Sequence, residues 1–327
     1  MIENFFRLQD SQILMLKNSK WHSLATLLKK YAGLNDVDRK LCPIIGRFLL
    51  LVVGSIMFLS GCSSLQSSVS EHLAQSLSAG ISNQEDIEMV KAGIPSYLLM
   101  IDGMIVEDPE NPSLYLAGAK LYSAIANFVN EDQQRLMLLT EKAHHYSEKV
   151  LCLMDSQWCT VAEQSLDAYQ LLIGDIANDD VDMLYVYGST WASQIQAHKN
   201  DWNAVADLPK VKATMQRVIE LDETHDRGGA HLYLGVLESL IPPALGGKPE
   251  IARTHFERVI EITKGRHLMA KVMYAERYAR TLYNRELHDQ LLQDVLAQDP
   301  KEEGLTLANI IAQQKAKTLL DSAEEYF

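Results

Sequence analysis

Cys62 carries the most distinctive chemistry in this sequence. It follows Leu59-Ser60-Gly61 at the end of the apolar run Phe48–Ser60, with Arg47 just before it. A basic residue, about a dozen apolar residues and small residues at a cut site are the pattern of a secretory signal. A cysteine directly after the cut adds a thiol that can take a diacylglycerol thioether and become the lipidated first residue of the mature chain. The run is shorter than the roughly 20 apolar residues a transmembrane helix needs. Cys42 lies upstream of the cut, which leaves Cys152 and Cys159. On one continuous helix their Cα atoms would stand about 10.5 Å apart, too far for a disulfide. Asp155-Ser156 between them reads as a helix stop and N-cap. A corner there would bring the sulfurs together in the oxidising envelope. A disulfide and a pair of buried free thiols both fit the sequence.

Other candidate chemistry is weaker. Gly246-Gly247-Lys248-Pro249 invites a phosphate-loop reading, but the G-x-x-x-x-G-K-[ST] spacing is missing and Pro249 removes a donor where a helix would start. An inter-helix turn with proline in the first helical turn is the better account. His144-His145 with Glu148 offers imidazoles and a carboxylate, yet adjacent histidines point about 100° apart on a helix, so only one can share a face with Glu148. No Ser/His/Asp grouping stands out, and neither a catalytic group nor a metal set is nominated. Tyr185, Tyr187 and Trp191 crowd one helical stretch, with Tyr233 on another. Most such aromatics are core packing; the other reading is that Tyr185, Tyr187, Trp191 and Tyr233 line a cavity. Pro242, Pro243, Ala244 and Leu245 form an apolar insertion in a turn that neither flanking helix demands. Pro242, Pro243 and Leu245 are therefore candidates for cavity lining or partner contact.

The elements that must position these residues start after the leader. Residues 1–61 are read as a leader ending in a lipoprotein signal peptide, and residues 62–70 as the lipidated cysteine and a flexible Ser-rich tether. Some forty residues precede the apolar run. Either translation begins near Leu41, the preferred reading, or the long segment has no role after cleavage. The full chain of 327 residues has a net charge of −13. The leader holds 8 basic and 4 acidic side chains, so the part from Cys62 onward carries −17. Such a chain repels phosphate backbones, which argues against nucleic-acid binding and against charge-driven docking on anionic lipid. The mature part has about 265 residues, enough to bury a large core.

Residues 71–327 read as helical nearly throughout, with breaks at Pro109 to Pro112, Pro209, Gly228-Gly229, Pro242-Pro243, Gly246 to Pro249, Gly265 and Pro300. Between the breaks a phrase recurs: Leu114-Tyr115-Leu116-Ala117-Gly118, Leu184-Tyr185-Val186-Tyr187-Gly188 and Leu232-Tyr233-Leu234-Gly235. Glycine costs about 1 kcal/mol against alanine inside a helix. Its return at one place in the phrase implies a backbone contact that a side chain would block. Each glycine is followed by a second amphipathic helix. Gly235 fits with Ala252, Phe256 and Val259; Gly188 with Val211, Met215 and Val218; Gly118 more loosely with Ala143 and Val150. Ala275, Leu292 and Val295 make a further match, and Leu305–Phe327 suits a capping helix. The expected fold is all-α: degenerate tetratricopeptide-like helical hairpins in a compact α-solenoid.

On these residues the chain resembles the TatT component of TRAP transporters, a family of helical periplasmic lipoproteins. The most specific part runs from Ala230-His231-Leu232-Tyr233-Leu234-Gly235 through Pro242-Pro243 and Gly246–Thr263. It continues through Leu291–Leu296 to Leu307-Ala308-Asn309 and Ile311-Ala312-Gln313. The resemblance implies a non-enzymatic accessory to a tripartite ATP-independent periplasmic transporter, without cofactor. Its expected partners are the periplasmic solute-binding subunit and the membrane, the latter through the lipid anchor only, and a homo-oligomer is compatible with it. Ligand would pass through a cavity or pore. Ser63 after the lipidated cysteine, where an aspartate would favour inner-membrane retention, makes outer-membrane anchoring facing the periplasm the expectation. The alternative is a repeat scaffold for outer-membrane or secretin assembly.

Overall fold

The computed structural model describes residues 76–129, 132–241, 244 and 246–327. Cys62, the leader and the whole tether lie outside the described residues, as do Pro242, Pro243 and Leu245. No strand occurs among the described residues. After a helical stretch at 76–82 come α1 (Ile87–Glu107), α2 (Pro112–Ala126) and α3 (Gln133–Met154). A 3-10 segment, Ser156–Glu163, leads to α4 (Leu166–Gly174), α5 (Val181–Ala197), α6 (Trp202–Ala206) and α7 (Leu208–Leu221). Then follow α8 (Gly229–Glu238), α9 (Pro249–Ile262) and α10 (Leu268–Met273), which continues as a π-helical turn over Tyr274–Ala279. The chain closes with α11 (Arg285–Ala297), α12 (Thr306–Asp321) and α13 (Ala323–Tyr326).

Short polar side chains set many of these boundaries. Asp86, Asn111, Asp132, Ser165, Asp201 and Asn284 each accept a backbone N–H in the first turn of the helix they precede, which satisfies donors that a helix start leaves unpaired. Pro112, Pro209 and Pro249 sit at first-turn positions where no intrahelical donor is lost.

The helices pack as successive antiparallel pairs, α2 with α3, α5 with α7, α8 with α9, and α10 with α11. Each second helix also packs on the first helix of the next pair, the arrangement of a tetratricopeptide-like array. The glycines sit where paired helices approach most closely. A Cβ on Gly118 would fall 2.7 Å from the Tyr146 ring, one on Gly188 2.8 Å from the Thr214 methyl, and one on Gly235 2.9 Å from the Phe256 ring. Opposite Gly118, therefore, stands Tyr146 rather than Ala143 or Val150. Those two are buried in the same core, at positions three residues before and four after, so they flank the contact. Opposite Gly188 stand Thr214 and Met215, with Val211 and Val218 buried nearby. Ala252 is fully buried beside Phe256, Tyr274 and Tyr278. The α12 helix lays Ala312, Ala316 and Leu319 against Leu268, Val272, Ala275, Leu292 and Val295, closing the last pair.

Residues 70–327 form one compact unit whose apolar side chains pack into their own core, so this segment has what a domain needs to fold alone. At one end, α1 has the length and apolarity to cross a membrane. One of its faces (Val90, Ile94, Leu98, Ile101 and Ile105) is nevertheless buried in the same core as α2 and α3. Asp102 on its flank accepts hydrogen bonds from the Tyr122 and Tyr146 hydroxyls, both at 2.7 Å, and from the Lys142 ammonium at 2.5 Å. That carboxylate sits well paired at a protein interface, which docks α1 on the array.

Candidate functional site

The four aromatic candidates divide by helix geometry. Tyr187 and Trp191 are four residues apart, on one face of α5, and both are buried. There they close a stack around His144, whose ring centroid lies 5.4 Å from Tyr187 and 5.5 Å from Trp191 in near-parallel planes. Trp158 and Tyr169 meet this stack edge-on. Burial, then the neighbouring His145, lowers the pKa of His144 to about 3, so the imidazole is neutral core at pH 7. Glu148 approaches it at 3.5 Å, and His145 lies beside Tyr146 instead. Among the described residues no group of three or more His, Cys, Asp or Glu side chains is arranged to hold a metal ion.

Cys152 and Cys159 are joined in a disulfide, with Cα atoms 4.6 Å apart. The corner that allows it is the end of α3. There Asp155 leaves the helix in an extended conformation and caps the following 3-10 turn by accepting from the Gln157 N–H. The capping residue is thus Asp155, with Ser156 the first residue of the turn. The Gly246–Pro249 stretch forms the turn into α9, with Lys248 at the cap and Pro249 in the first turn.

Tyr185 and Tyr233 take a different position. They lie on the first helices of adjacent pairs, half-buried, with ring centroids 6.2 Å apart and edge-to-face. His225 meets Tyr185 at 5.2 Å. Between them runs a turn that nothing in the aromatic pattern announces. Asp226, Arg227 and Gly228 have φ of 45°, 58° and 79°, three consecutive left-handed residues. For the two non-glycine residues this costs roughly 1–2 kcal/mol each. The turn aims Asp226 at Tyr185: burial first, then the charge of Asp226, push the Tyr185 phenol well above its ordinary pKa. Tyr233 is pushed up to about 12 by burial and Asp226, against the opposing hydroxyls of Ser193 and Ser189. Both phenols therefore stay protonated, as donors, at any physiological pH. His267 lies close enough to Asp226 to feel its charge, and its Nδ1 is buried without a hydrogen-bond partner.

Beside this turn is a half-open cavity of about 340 Å³, lined by Thr224, Arg227, Ile262, Thr263, Lys264, Arg266, Glu302 and Leu305. These residues belong to the successive connections that follow α7, α9 and α11. Each connection carries a glycine at positive φ: Gly228, Gly265 and Gly304. Arg266 bonds Glu302 at 2.7 Å and the Lys301 carbonyl at 2.8 Å, while Arg227 donates to the Glu303 carbonyl at 2.9 Å. Asn309, fully buried, receives the Leu268 N–H and donates to the Arg266 and Pro300 carbonyls. The three connections are thereby tied into one wall. The glycines in the connections after α7, α9 and α11 are the sequence signal that points to this site, but the cavity needs residues more than seventy positions apart.

Two further groupings lie nearby. His231 and His255 share a hydrogen bond between their Nδ1 atoms at 2.8 Å, joining α8 to α9, and Glu223 holds the other nitrogen of His231 at 3.2 Å. Arg258 clamps both oxygens of Glu223 at 2.8 and 2.7 Å. Leu240 and Ile241, which precede Pro242 in the sequence, are exposed.

The arrangement offers a half-open cavity edged by Arg227, Lys264, Arg266 and Glu302 beside a left-handed turn, while Tyr185 and Tyr233 pack against the core. Compared with curated proteins, the chain has no significant match. A family model described as the TRAP transporter T-component matches residues 83–327, which spans every hairpin of the array and the cavity connections. The chain belongs to the TRAP transporter T-component family.

Proposed function

We propose that this protein is a non-enzymatic, periplasm-facing lipoprotein that serves TRAP-type solute uptake by binding the solute-binding subunit and passing ligand to it. The family match over residues 83–327 carries this reading. In it, residues 1–61 are the leader, Cys62 bears the lipid in the outer membrane, residues 62–70 are the tether and residues 71–327 the working domain. The cavity between the connections after α7, α9 and α11, with Tyr185 and Tyr233 packed beside its Asp226 turn, is the surface a ligand would cross. It presents the cationic side chains of Arg227, Lys264 and Arg266 and is wide enough for a small solute. The exposed turn at Leu240-Ile241 suits contact with the partner, because about half of each apolar side chain is left to solvent.

The experiment is affinity capture from a periplasmic extract with the immobilised lipid-free domain, followed by titration of the captured protein. Retention of a solute-binding subunit, weakened by Tyr233→Ala or by Leu240→Asp with Ile241→Asp, is the expected result. Capture of an outer-membrane barrel or a secretin in its place would overturn the proposal.

A further inference from the structure

The outward face of α1 is the largest feature that this function leaves unused. Opposite its buried residues, α1 presents Met89, Leu99, Met100 and Val106, with Tyr97 on the flank. Leu99 and Val106 are 76% and 80% exposed. Between them stand Ala92, Ser96 and Gly103, so the outward stripe from Met89 to Val106 holds no charged side chain. That stripe is about 27 Å long at 1.5 Å per residue. The two charged residues within the interval both lie off it: Lys91 pairs with Glu88 at 2.9 Å, and Asp102 is turned to Lys142 and the two tyrosines. In a chain of such negative charge, an uncharged helix face of this length is an exception that water does not reward.

We infer that this face lies on the surface of the phospholipid bilayer, with α1 parallel to the membrane and its apolar side chains at the headgroup boundary. The inference rests on the proposed lipidation of Cys62. Thirteen residues lie between Cys62 and residue 76, and fully extended the segment reaches at most about 50 Å. An acyl anchor on Cys62 therefore keeps α1 within reach of the lipid at high effective concentration, where a weak interfacial helix is retained. The net charge of −17 beyond the leader selects zwitterionic over anionic lipid, and it opposes pairing of two such chains through the same face.

Flotation of the 70–327 domain with phosphatidylcholine–phosphatidylethanolamine vesicles tests the face without the acyl chain. The domain is expected to rise with the vesicles. Leu99→Glu with Val106→Glu is expected to cut the partition coefficient at least about tenfold while leaving the far-ultraviolet spectrum and thermal midpoint unchanged, because both side chains already face solvent. The milder pair Leu99→Gln with Val106→Thr gives the same reading should the charged pair disturb folding. No flotation at millimolar lipid, or flotation indifferent to both pairs, overturns the inference. So does a concentration-dependent oligomer that the same substitutions abolish, since the face would then belong to a second copy. Labelling of the full chain with radioactive palmitate is read separately. Failure of the label to enter removes the tether, whereas failure of flotation removes the lipid-facing helix.

Discussion

Replacing Gly235 by alanine sets helix propensity against packing, and the structure says which prevails. Alanine gains about 1 kcal/mol over glycine in a helix interior. At Gly235 the new methyl carbon would stand 2.9–3.0 Å from three atoms of the Phe256 ring, well inside the ordinary carbon–carbon contact distance of about 3.5–4.0 Å. Phe256 cannot swing away, because it is fully buried and stacked on Tyr274 with ring centroids 5.3 Å apart. Forcing a methyl into such a core costs about 1–3 kcal/mol, so Gly235→Ala is expected to lose up to about 2 kcal/mol net. Gly103→Ala on α1 is the matched control. Nothing lies within 4 Å of its Cβ, so it should gain about 0.5–1 kcal/mol. Urea unfolding of the 70–327 domain, followed by far-ultraviolet circular dichroism, gives both values. Phe256→Leu added to Gly235→Ala should recover part of the loss as a favourable coupling. A Gly235→Ala domain as stable as Gly103→Ala would refute the claim that the recurring glycines mark closest approach.

Three further outcomes are expected. Replacing Cys152 and Cys159 by serine opens a loop of eight residues and should cost about 2 kcal/mol by chain entropy, read as a shift of the urea midpoint that reducing agent reproduces in the wild type. Burial of His144 holds its folded pKa at about 3, below the unfolded value, so the unfolded chain takes up the proton first. The His144 contribution should be steady above pH 6.5 and fall by up to about 1.4 kcal/mol per pH unit below it, alongside those of His231, His255 and His267, whose pKa values burial also lowers. His144→Leu should flatten that part of the profile, and an unchanged slope would show that another group sets it. Asp102→Asn leaves Lys142 and two tyrosine hydroxyls without their carboxylate. It should cost about 2 kcal/mol, with hydrogen exchange of α1 amides accelerating more than that of α9.

Much of the array was legible in order of residues because helical packing has a local period. Gly235, Ala252, Phe256 and Val259 can be aligned from spacing alone, since residues three and four apart share a face whatever lies across from it. Apolar Leu292 and Val295 on α11, and the helix stop at Asp155, follow from the same short-range rules. The looser register at Gly118 was not legible, because Tyr146, Ala143 and Val150 lie on one face and only the approach angle of α3 chooses the ring.

Sequence by itself thus determined the helical hairpins, their close-contact glycines and the family. The tertiary structure alone decided that Tyr187 and Trp191 close a buried stack on His144, while Tyr185 and Tyr233 meet each other beside the Asp226 turn. Tyr185 and Tyr187 are two residues apart, about 200° round one helix, so the same chemistry meets opposite neighbours. It also decided that the connections after α7, α9 and α11 close on one cavity, and that Arg227, held left-handed beside Asp226, lines it. Those contacts join distant segments, and their geometry depends on how the hairpins stack, which no local period encodes.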